Sequence, residues 1–310
     1  MKRVAILIAA SPTPAFYSQI AVLMLALRKL AWSDWTPSVH VFLGGPSDPD
    51  VDAAWRPHLA AAAFHCVSQQ HFAADGDWAQ SDDLLRCAPR DADVIVTLDA
   101  DTIPVAPLTD VLDLILQTEA VGGVIAHYPF PFFPGCSVPD SWQRVAHGIT
   151  DAPLDLAFSH TLMPPETPAD LRLTPFYVNG GVVFFPRARF DDLLMQYLAI
   201  RPRLISRMPN TDFTGQAALA LAIAVCGVAT TALPMRYNFP NDAIAEQLYP
   251  DELAQVRIFH YLRTDTFDRQ RIFVSAAEYG RFLSLPLSGS NLLFQRYVRS
   301  LIGVDYPFGE

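Results

Sequence analysis

The chain has 310 residues, of which 51% are hydrophobic, so it is long enough for one large α/β domain or two smaller ones with a sizeable core. Its formal net charge is −10, from 22 Lys and Arg against 32 Asp and Glu. This acidic balance argues against nucleic-acid binding, which depends on basic residues at the phosphates.

The amino terminus superficially resembles a secretory signal, because Lys2 and Arg3 precede an apolar run over residues 4–10. That run is short for a signal, and we interpret it as the first core strand. The next apolar stretch, residues 20–27, is too short to span a bilayer. The cysteines show no C-x-x-C pair and no zinc spacing, which predicts reduced core residues in a cytoplasmic protein: Cys66, Cys87, Cys136 and Cys226.

The first part of the chain alternates segments with strand and helix patterns. The pattern predicts strands at residues 4–10, 39–43, 61–67, 94–98 and 121–126, and helices at 16–32, 78–87 and 108–116. Such alternation indicates βαβ units and a mostly parallel sheet covered on both faces. Ligands of such sheets bind beyond the carboxyl ends of the strands.

From Tyr128 onward the composition changes, and an aromatic, proline-rich segment cannot continue a helix or a central strand. Up to Pro175 the sequence predicts mostly loop, with a short helix at 141–146. The remaining predicted elements are strands at 176–185, 229–232 and 256–259, helices at 190–205 and 214–226, and two amphipathic helices within 276–302. The segment 294–299 has two open interpretations, which are packing on the main domain and a helix at a membrane surface.

The strongest functional signal is the pair Asp99 and Asp101 at the end of the apolar run 94–98. Where the chain turns after a strand, carboxylates at i and i+2 can converge on one hard cation. Mg²⁺ and Mn²⁺ take oxygen ligands and usually leave positions open for substrate phosphates. The pattern therefore predicts a metal bridge between the protein and a diphosphate. A simple helix cap or turn is the alternative.

Three further positions carry candidate chemistry. Residues 179–181, Asn-Gly-Gly inside a strand pattern, mark a bulge or a place where a ligand approaches the backbone. His260 ends an apolar strand and can complete a carboxylate–histidine site, with His127 as a weaker alternative. Asp212 and Gln216 stand at the start of an apolar helix, either as caps or as contacts to sugar hydroxyls.

Several segments, taken in chain order, resemble those of the GT-A glycosyltransferases, most closely glycosyltransferase family 8 and its glycogenin-like relatives. The matching segments are 9–28, the D-x-D at 98–102, 176–182, 212–216, 233–238 and 258–260. The resemblance implies a Rossmann-like α/β GT-A fold over residues 1–262, with a nucleotide-binding half (1–127) and an acceptor and sugar half (128–262). Residues 263–310 then form a helical extension.

The resemblance also implies a role for each matching residue. The metal ligands, for Mn²⁺ or Mg²⁺, are Asp99, Asp101 and His260. The nucleotide-sugar contacts are Ala9, Ala10, Ser11, Tyr17, Arg86, Asp99, Gly180, Gly181 and Arg263, with Arg263 replacing a family lysine. The residues implied to bind the donor sugar or to take part in catalysis are Asn179, Asp212 and Gln216. The implied reaction moves a sugar, with a UDP-sugar as the expected donor, to an acceptor hydroxyl in bacterial surface polysaccharide or glycolipid synthesis.

Other classes of protein have similar sequence motifs. A haloacid-dehalogenase-type phosphatase also has D-x-D-x-T, but it needs a lysine downstream, and no lysine follows the motif here. A nucleotidyltransferase would carry a glycine-rich basic loop after the first strand, whereas Ser11 is followed by Pro-Thr-Pro. A non-catalytic carbohydrate-binding relative stays open.

Overall fold

A computed structural model describes residues 1–45, 51–67, 78–129, 133, 135–150, 153–208 and 213–308. The strands are β1 (Lys2–Ala10), β2 (Trp35–Leu43), β3 (Ala63–Cys66), β4 (Val94–Leu98), β5 (Thr102–Pro104), β6 (Val121–Ile125), β7 (Phe158–Ser159), β8 (Leu173–Thr174), β9 (Val178–Pro186), β10 (Thr230–Ala232), β11 (Phe239–Pro240) and β12 (Ile258–His260). The helices are α1 (Pro14–Lys29), α2 (Arg56–Leu59), α3 (Trp78–Arg86), α4 (Thr109–Thr118), α5 (Val138–Ala146), α6 (Ala169–Arg172), α7 (Arg187–Ile205), α8 (Thr214–Cys226), α9 (Ala243–Leu248), α10 (Pro250–Ala254), α11 (Ala276–Ser284) and α12 (Gly289–Ile302).

The central feature is a seven-stranded sheet in the order β10-β6-β9-β4-β1-β2-β3. Its neighbours are parallel except that β9 runs antiparallel to both β4 and β6. The predicted α/β class with a mostly parallel sheet is therefore confirmed. The apolar runs that predicted β1 and β4 are almost fully buried, as expected for strands covered on both faces.

The two faces of the sheet belong to two hydrophobic clusters. In β1, Val4, Ile6 and Ile8 pack into one cluster, whereas Ala5 and Leu7 pack into the other. This alternation follows from the two-residue period of a strand. Helices α1 and α4 and the C-terminal helices cover the first face, and α5, α7 and α8 cover the second.

A small second sheet has the order β11-β12-β5. The predicted strand 256–259 overlaps β12, whereas β5 and β11 were not predicted, because strands of two or three residues are too short to show a pattern. This sheet places the end of β12 beside the D-x-D turn: His260 pairs with Thr102, and the Tyr261 amide donates to the Asp101 carbonyl at 3.1 Å. The segment 233–238, one of those that resemble the GT-A family, contains a 3₁₀ turn at Met235–Tyr237 before β11.

The C-terminal part contains the two predicted helices, α11 and α12. Phe294 and Val298 of α12 are 0% exposed, so packing on the main domain is the interpretation that holds for these side chains. The predicted core position of the cysteines is wrong, since Cys66 and Cys87 are exposed and the other two are half-buried. Among the described residues, no helix combines the length and the apolar character needed to cross a membrane.

Candidate functional site

Asp99, Asp101 and His260 converge at the carboxyl end of β4. The Thr102 amide and hydroxyl both donate to the Asp99 carbonyl, at 3.1 Å and 2.7 Å, and this tight turn brings the two carboxylates to one side. His260 Nε2 lies 3.3 Å from Asp101 Oδ1 and 3.8 Å from Asp99 Oδ2. One ligand atom from each of the three residues lies within 4.8 Å of the others, as a single cation requires.

The orientation of His260 is determined by a chain of hydrogen bonds that starts at a backbone amide. The Gly181 amide donates to Asn179 Oδ1 at 3.0 Å, so that oxygen is an acceptor. Asn238 Nδ2 donates to the same oxygen at 3.2 Å, and Asn238 Oδ1 therefore faces His260 Nδ1 at 2.8 Å. His260 Nδ1 must therefore carry a proton, so Nε2 is the ring nitrogen that faces the carboxylates, and it can bind a cation when it gives up its own proton.

Asn238 is accordingly expected to contribute to cation affinity without touching the cation. Asn238→Ala should weaken Mn²⁺ binding by about 10- to 100-fold, since the tautomer and ring orientation of His260 are no longer held. Electron paramagnetic resonance titration of Mn²⁺ measures this affinity. Asn241→Ala is the matched control, because Asn241 is also buried but bonds Arg263 and Asn291 instead of the cluster. Equal affinities in the two variants would contradict the assignment.

The glycine pair lies in an irregular part of β9. The pairing with β6 shifts between Gly123 and Ile125, opposite residues 179–182 of β9, so the predicted bulge is present. A Cβ atom on Gly181 would stand 2.5 Å from His260 Cε1 and 2.7 Å from Asp99 Oδ2. The side chains that approach this backbone closely are therefore those of His260 and Asp99. The neighbouring Gly180 amide donates to Gln216 Oε1 at 3.2 Å.

The three clustered groups differ in exposure and in charge balance. The Asp99 side chain is 56% exposed, whereas those of Asp101 and His260 are 10% and 5% exposed. Desolvation and repulsion from Asp101 both raise the pKa of Asp99, and its exposure gives the repulsion the greater weight. Burial opposes ionisation of Asp101, but attraction from His260 and Arg269 outweighs burial and lowers its pKa. Two carboxylates held this close favour a bound cation.

Arg269 is a site residue that sequence reasoning missed. Its Nη1 donates to Asp101 Oδ2, and Gln19 Nε2 of α1 donates to its backbone carbonyl at 3.0 Å. These contacts hold the loop between β12 and α11 over the cluster. A loop arginine belongs to no periodic pattern. The feature that could have indicated it is its position in the segment after His260, which contains several arginines.

Two cavities meet at the cluster. The larger, about 380 Å³, extends between the sheet and helices α3, α7 and α8, and the smaller, about 230 Å³, lies beside α1. Ala9, Asp99 and Arg269 line both. The smaller cavity is also lined by Phe16, Gln19, Ala100, Asp101 and Gln270.

The predicted site residues fall into two groups. Seven line the larger cavity: Ala9, Asp99, Asn179, Gly180, Gly181, Gln216 and His260. Asp101 lines the smaller cavity. Apart from Asp212, the others lie elsewhere among the described residues. Ala10 and Tyr17 are buried in the core at 1% and 2% exposure, and Ser11 is half-buried beyond the end of β1.

The two predicted arginines do not line either cavity. Arg86 is exposed at the last residue of α3, where Leu84 and Leu85 line the larger cavity instead. Arg263 pairs with Asp242 at 2.8 Å, whereas Arg269 lies against Asp101.

Two further candidates are Asp212 and His127. Asp212 lies outside the described residues. His127 is 6% exposed, and burial, with repulsion from His260 and Arg263, lowers its pKa to about 3.

Comparison with solved structures gives the fold a name. The bifunctional glycosyltransferase WbbM superposes with a TM-score of 0.57 at 13% identity, over 90% of this chain and 52% of WbbM. The galactosyltransferase LgtC, in complex with donor and acceptor sugar analogs, superposes with a TM-score of 0.53 at 15% identity, over 94% of this chain and 99% of LgtC. The chain has the GT-A fold.

Mouse xyloside xylosyltransferase 1 shares this GT-A fold, with a TM-score of 0.51 at 13% identity, over 84% of this chain and 98% of that one. This chain spans about half the length of WbbM and nearly all of the other two. No protein-family model matches the chain, and no curated protein matches it in sequence.

Proposed function

We propose that this protein is a divalent-cation-dependent glycosyltransferase that moves a sugar from a UDP-sugar to an acceptor hydroxyl. The observation that carries the proposal is the Asp99–Asp101–His260 cluster at the carboxyl end of β4, in a fold shared with glycosyltransferases. We propose further that the arrangement is that of family 8 and that the acceptor belongs to a surface polysaccharide or glycolipid assembled in the cytoplasm or at the inner face of a membrane.

The residues present fit a divalent cation. Two carboxylates and one imidazole are hard and intermediate donors that suit Mn²⁺ or Mg²⁺, and Nε2 of His260 already faces Asp99 and Asp101. Because Gly181 has no side chain, His260 and Asp99 can approach its backbone closely enough to lie together. When bound, such a cation neutralises charge that develops on a leaving diphosphate.

Arg269 supports the same assignment from the other side of the cluster. Its guanidinium lies against Asp101 and lines both cavities, so it stands where a diphosphate would bridge them. A planar guanidinium binds phosphate oxygens through paired donors. The smaller cavity, beside Phe16 and Gln19, would then take the nucleoside.

The larger cavity would take the sugar. Asn179 and Gln216 line it, and we propose that their amides orient the sugar hydroxyls. Gln216 already accepts from the Gly180 amide, which fixes the side chain in place. Asp212 remains a proposed base for the acceptor hydroxyl if the reaction inverts the anomeric carbon.

Release of UDP from UDP-sugars tests the proposal. With Mn²⁺ present we expect slow hydrolysis of one donor, which should fall to background with EDTA and in Asp101→Asn, because both remove the cation. A coupled UDP assay measures release, and circular dichroism confirms that the variant is folded. If there were no turnover and no Mn²⁺-dependent binding of UDP, the proposal would be refuted.

The same samples separate the alternatives. A nucleotidyltransferase would release pyrophosphate from UTP and a sugar phosphate instead of UDP from a UDP-sugar. A non-catalytic relative would bind UDP with Mn²⁺ but release none when supplied with a donor.

A further inference from the structure

The wall of the larger cavity changes from polar to apolar with distance from the cluster. At one end stand Asp99, His260 and Arg269, with Asn179 and Gln216 beside them. Along β9 away from that end, between the sheet and the helices, most of the lining side chains are hydrocarbon, and Thr97, which pairs with Val183, is a polar exception. The hydrocarbon side chains form what we call the apolar wall: Leu84, Leu85, Val183, Phe185 and Leu219.

The apolar wall is part of the folded core. Leu84, Val183, Phe185 and Leu219 are 5%, 1%, 3% and 8% exposed, and they belong to the hydrophobic cluster between the sheet and α7 and α8. Val183 and Phe185 follow Gly181 at two-residue intervals on β9, so the same strand face carries both the cation end and the apolar end. The nearby Tyr197 hydroxyl bonds Asp82.

A sugar hydroxyl pressed against this wall would lose its hydrogen bonds to water without gaining new ones from these five side chains. Such a loss is costly, whereas burial of a methyl group against carbon is favourable. Away from the Thr97 hydroxyl, such a wall favours a methyl group over a hydroxyl at the same depth.

We propose that the sugar portion of the donor carries a methyl group that packs against the apolar wall. The shared chemistry is a methyl substituent, either the C6 methyl of a 6-deoxyhexose or the acetyl methyl of an N-acetylhexosamine. The inference rests on the proposed function, because it takes the cation cluster as the diphosphate site and the larger cavity as the place of the sugar.

Isothermal titration calorimetry tests the inference by measuring how tightly matched UDP-sugars bind the full chain in the presence of Mn²⁺. The set is UDP, UDP-glucose, UDP-6-deoxyglucose and UDP-N-acetylglucosamine, together with the corresponding galactose series. One methyl-bearing sugar should bind about 10- to 100-fold more tightly than its hydroxyl partner. Whether the 6-deoxy or the N-acetyl sugar gains identifies which methyl group the wall recognises.

A pair of variants on β9 ties the preference to the wall. Val183→Thr is nearly isosteric and adds a hydroxyl in the cavity, so it should reduce the methyl preference about tenfold. Val182→Thr makes the same change one residue away, on the opposite face of the strand, where Val182 is equally buried at 1% exposure. This control should keep the wild-type preference, and melting temperatures show whether both variants are equally folded.

The possible failures are distinguishable. If UDP itself does not bind with Mn²⁺, the proposed function fails, and this inference fails with it. If UDP binds but methyl and hydroxyl sugars bind alike, or if Val182→Thr and Val183→Thr change the preference equally, the apolar wall does not select the sugar and this inference alone is overturned.

Discussion

Gly181→Ala is expected to lower Mn²⁺ affinity by about 100-fold while the protein stays folded. The added methyl would stand 2.5 Å from His260 Cε1 and 2.7 Å from Asp99 Oδ2. Carbon atoms in contact are about 3.5–4.0 Å apart, so the ring and the carboxylate must move by about 1 Å. Metal ligands tolerate errors of about 0.2 Å, and a displacement of about 1 Å can cost about 100-fold in function. Mn²⁺ titration with and without UDP measures the loss.

The matched control for this change is Gly280→Ala in α11. A Cβ atom there meets nothing within 4 Å, and the position is inside a helix. Alanine should leave Mn²⁺ binding unchanged and add roughly 0.5–1 kcal/mol of stability, because glycine loses more backbone entropy on folding. If Gly181→Ala bound Mn²⁺ like the wild type, the cluster would not be the cation site.

The second large effect is expected on stability, at the buried ion pair of Asp82 and Arg201. These side chains are 9% and 2% exposed, and the pair joins α3 to α7. Arg201→Met should lower the free energy of unfolding by about 3–5 kcal/mol, because it leaves the Asp82 carboxylate buried without its cation. Guanidinium unfolding followed by circular dichroism measures the change.

The same substitution at a surface pair provides the comparison. Arg187 pairs with Asp191 on the same helix at 2.6 Å, and the Asp191 side chain is 72% exposed. Arg187→Met should cost less than about 1 kcal/mol. Replacing both members of the buried pair with Asp82→Leu and Arg201→Met should restore much of the lost stability. A loss in the double variant equal to that in Arg201→Met would mean that the charge of Asp82 is not what destabilises the single variant.

The cation cluster was predictable because its signals are local. An apolar β-branched run that ends in Asp99 and Asp101 already places two carboxylates at the edge of a sheet. His260 could be added because it too ends an apolar strand. The bulge at residues 179–181 was visible because glycine is rare inside a strand and has a reason when it occurs there.

The other residues around the cluster were harder to predict from the sequence. Asn238 follows a 3₁₀ turn and acts only through its contact with His260, and Arg269 lies in a loop. Arg86 and Arg263 were predicted from their charge. However, α3 places Leu84 and Leu85, and not Arg86, along the larger cavity, and Arg263 forms an ion pair with Asp242. In each case the deciding contact joins segments far apart in the sequence.

The sequence alone determined the chain order of the seven central-sheet strands and of the longer helices, the mostly parallel sheet and the three cation-ligand candidates, since each depends on hydrophobic period or on residues at a strand end. Only the tertiary structure decided which arginine meets Asp101, which asparagine orients His260 and which side chains line the larger cavity. Those outcomes depend on strand register, on short pairings such as that of His260 with Thr102, and on long-range packing, none of which leaves a periodic trace along the chain.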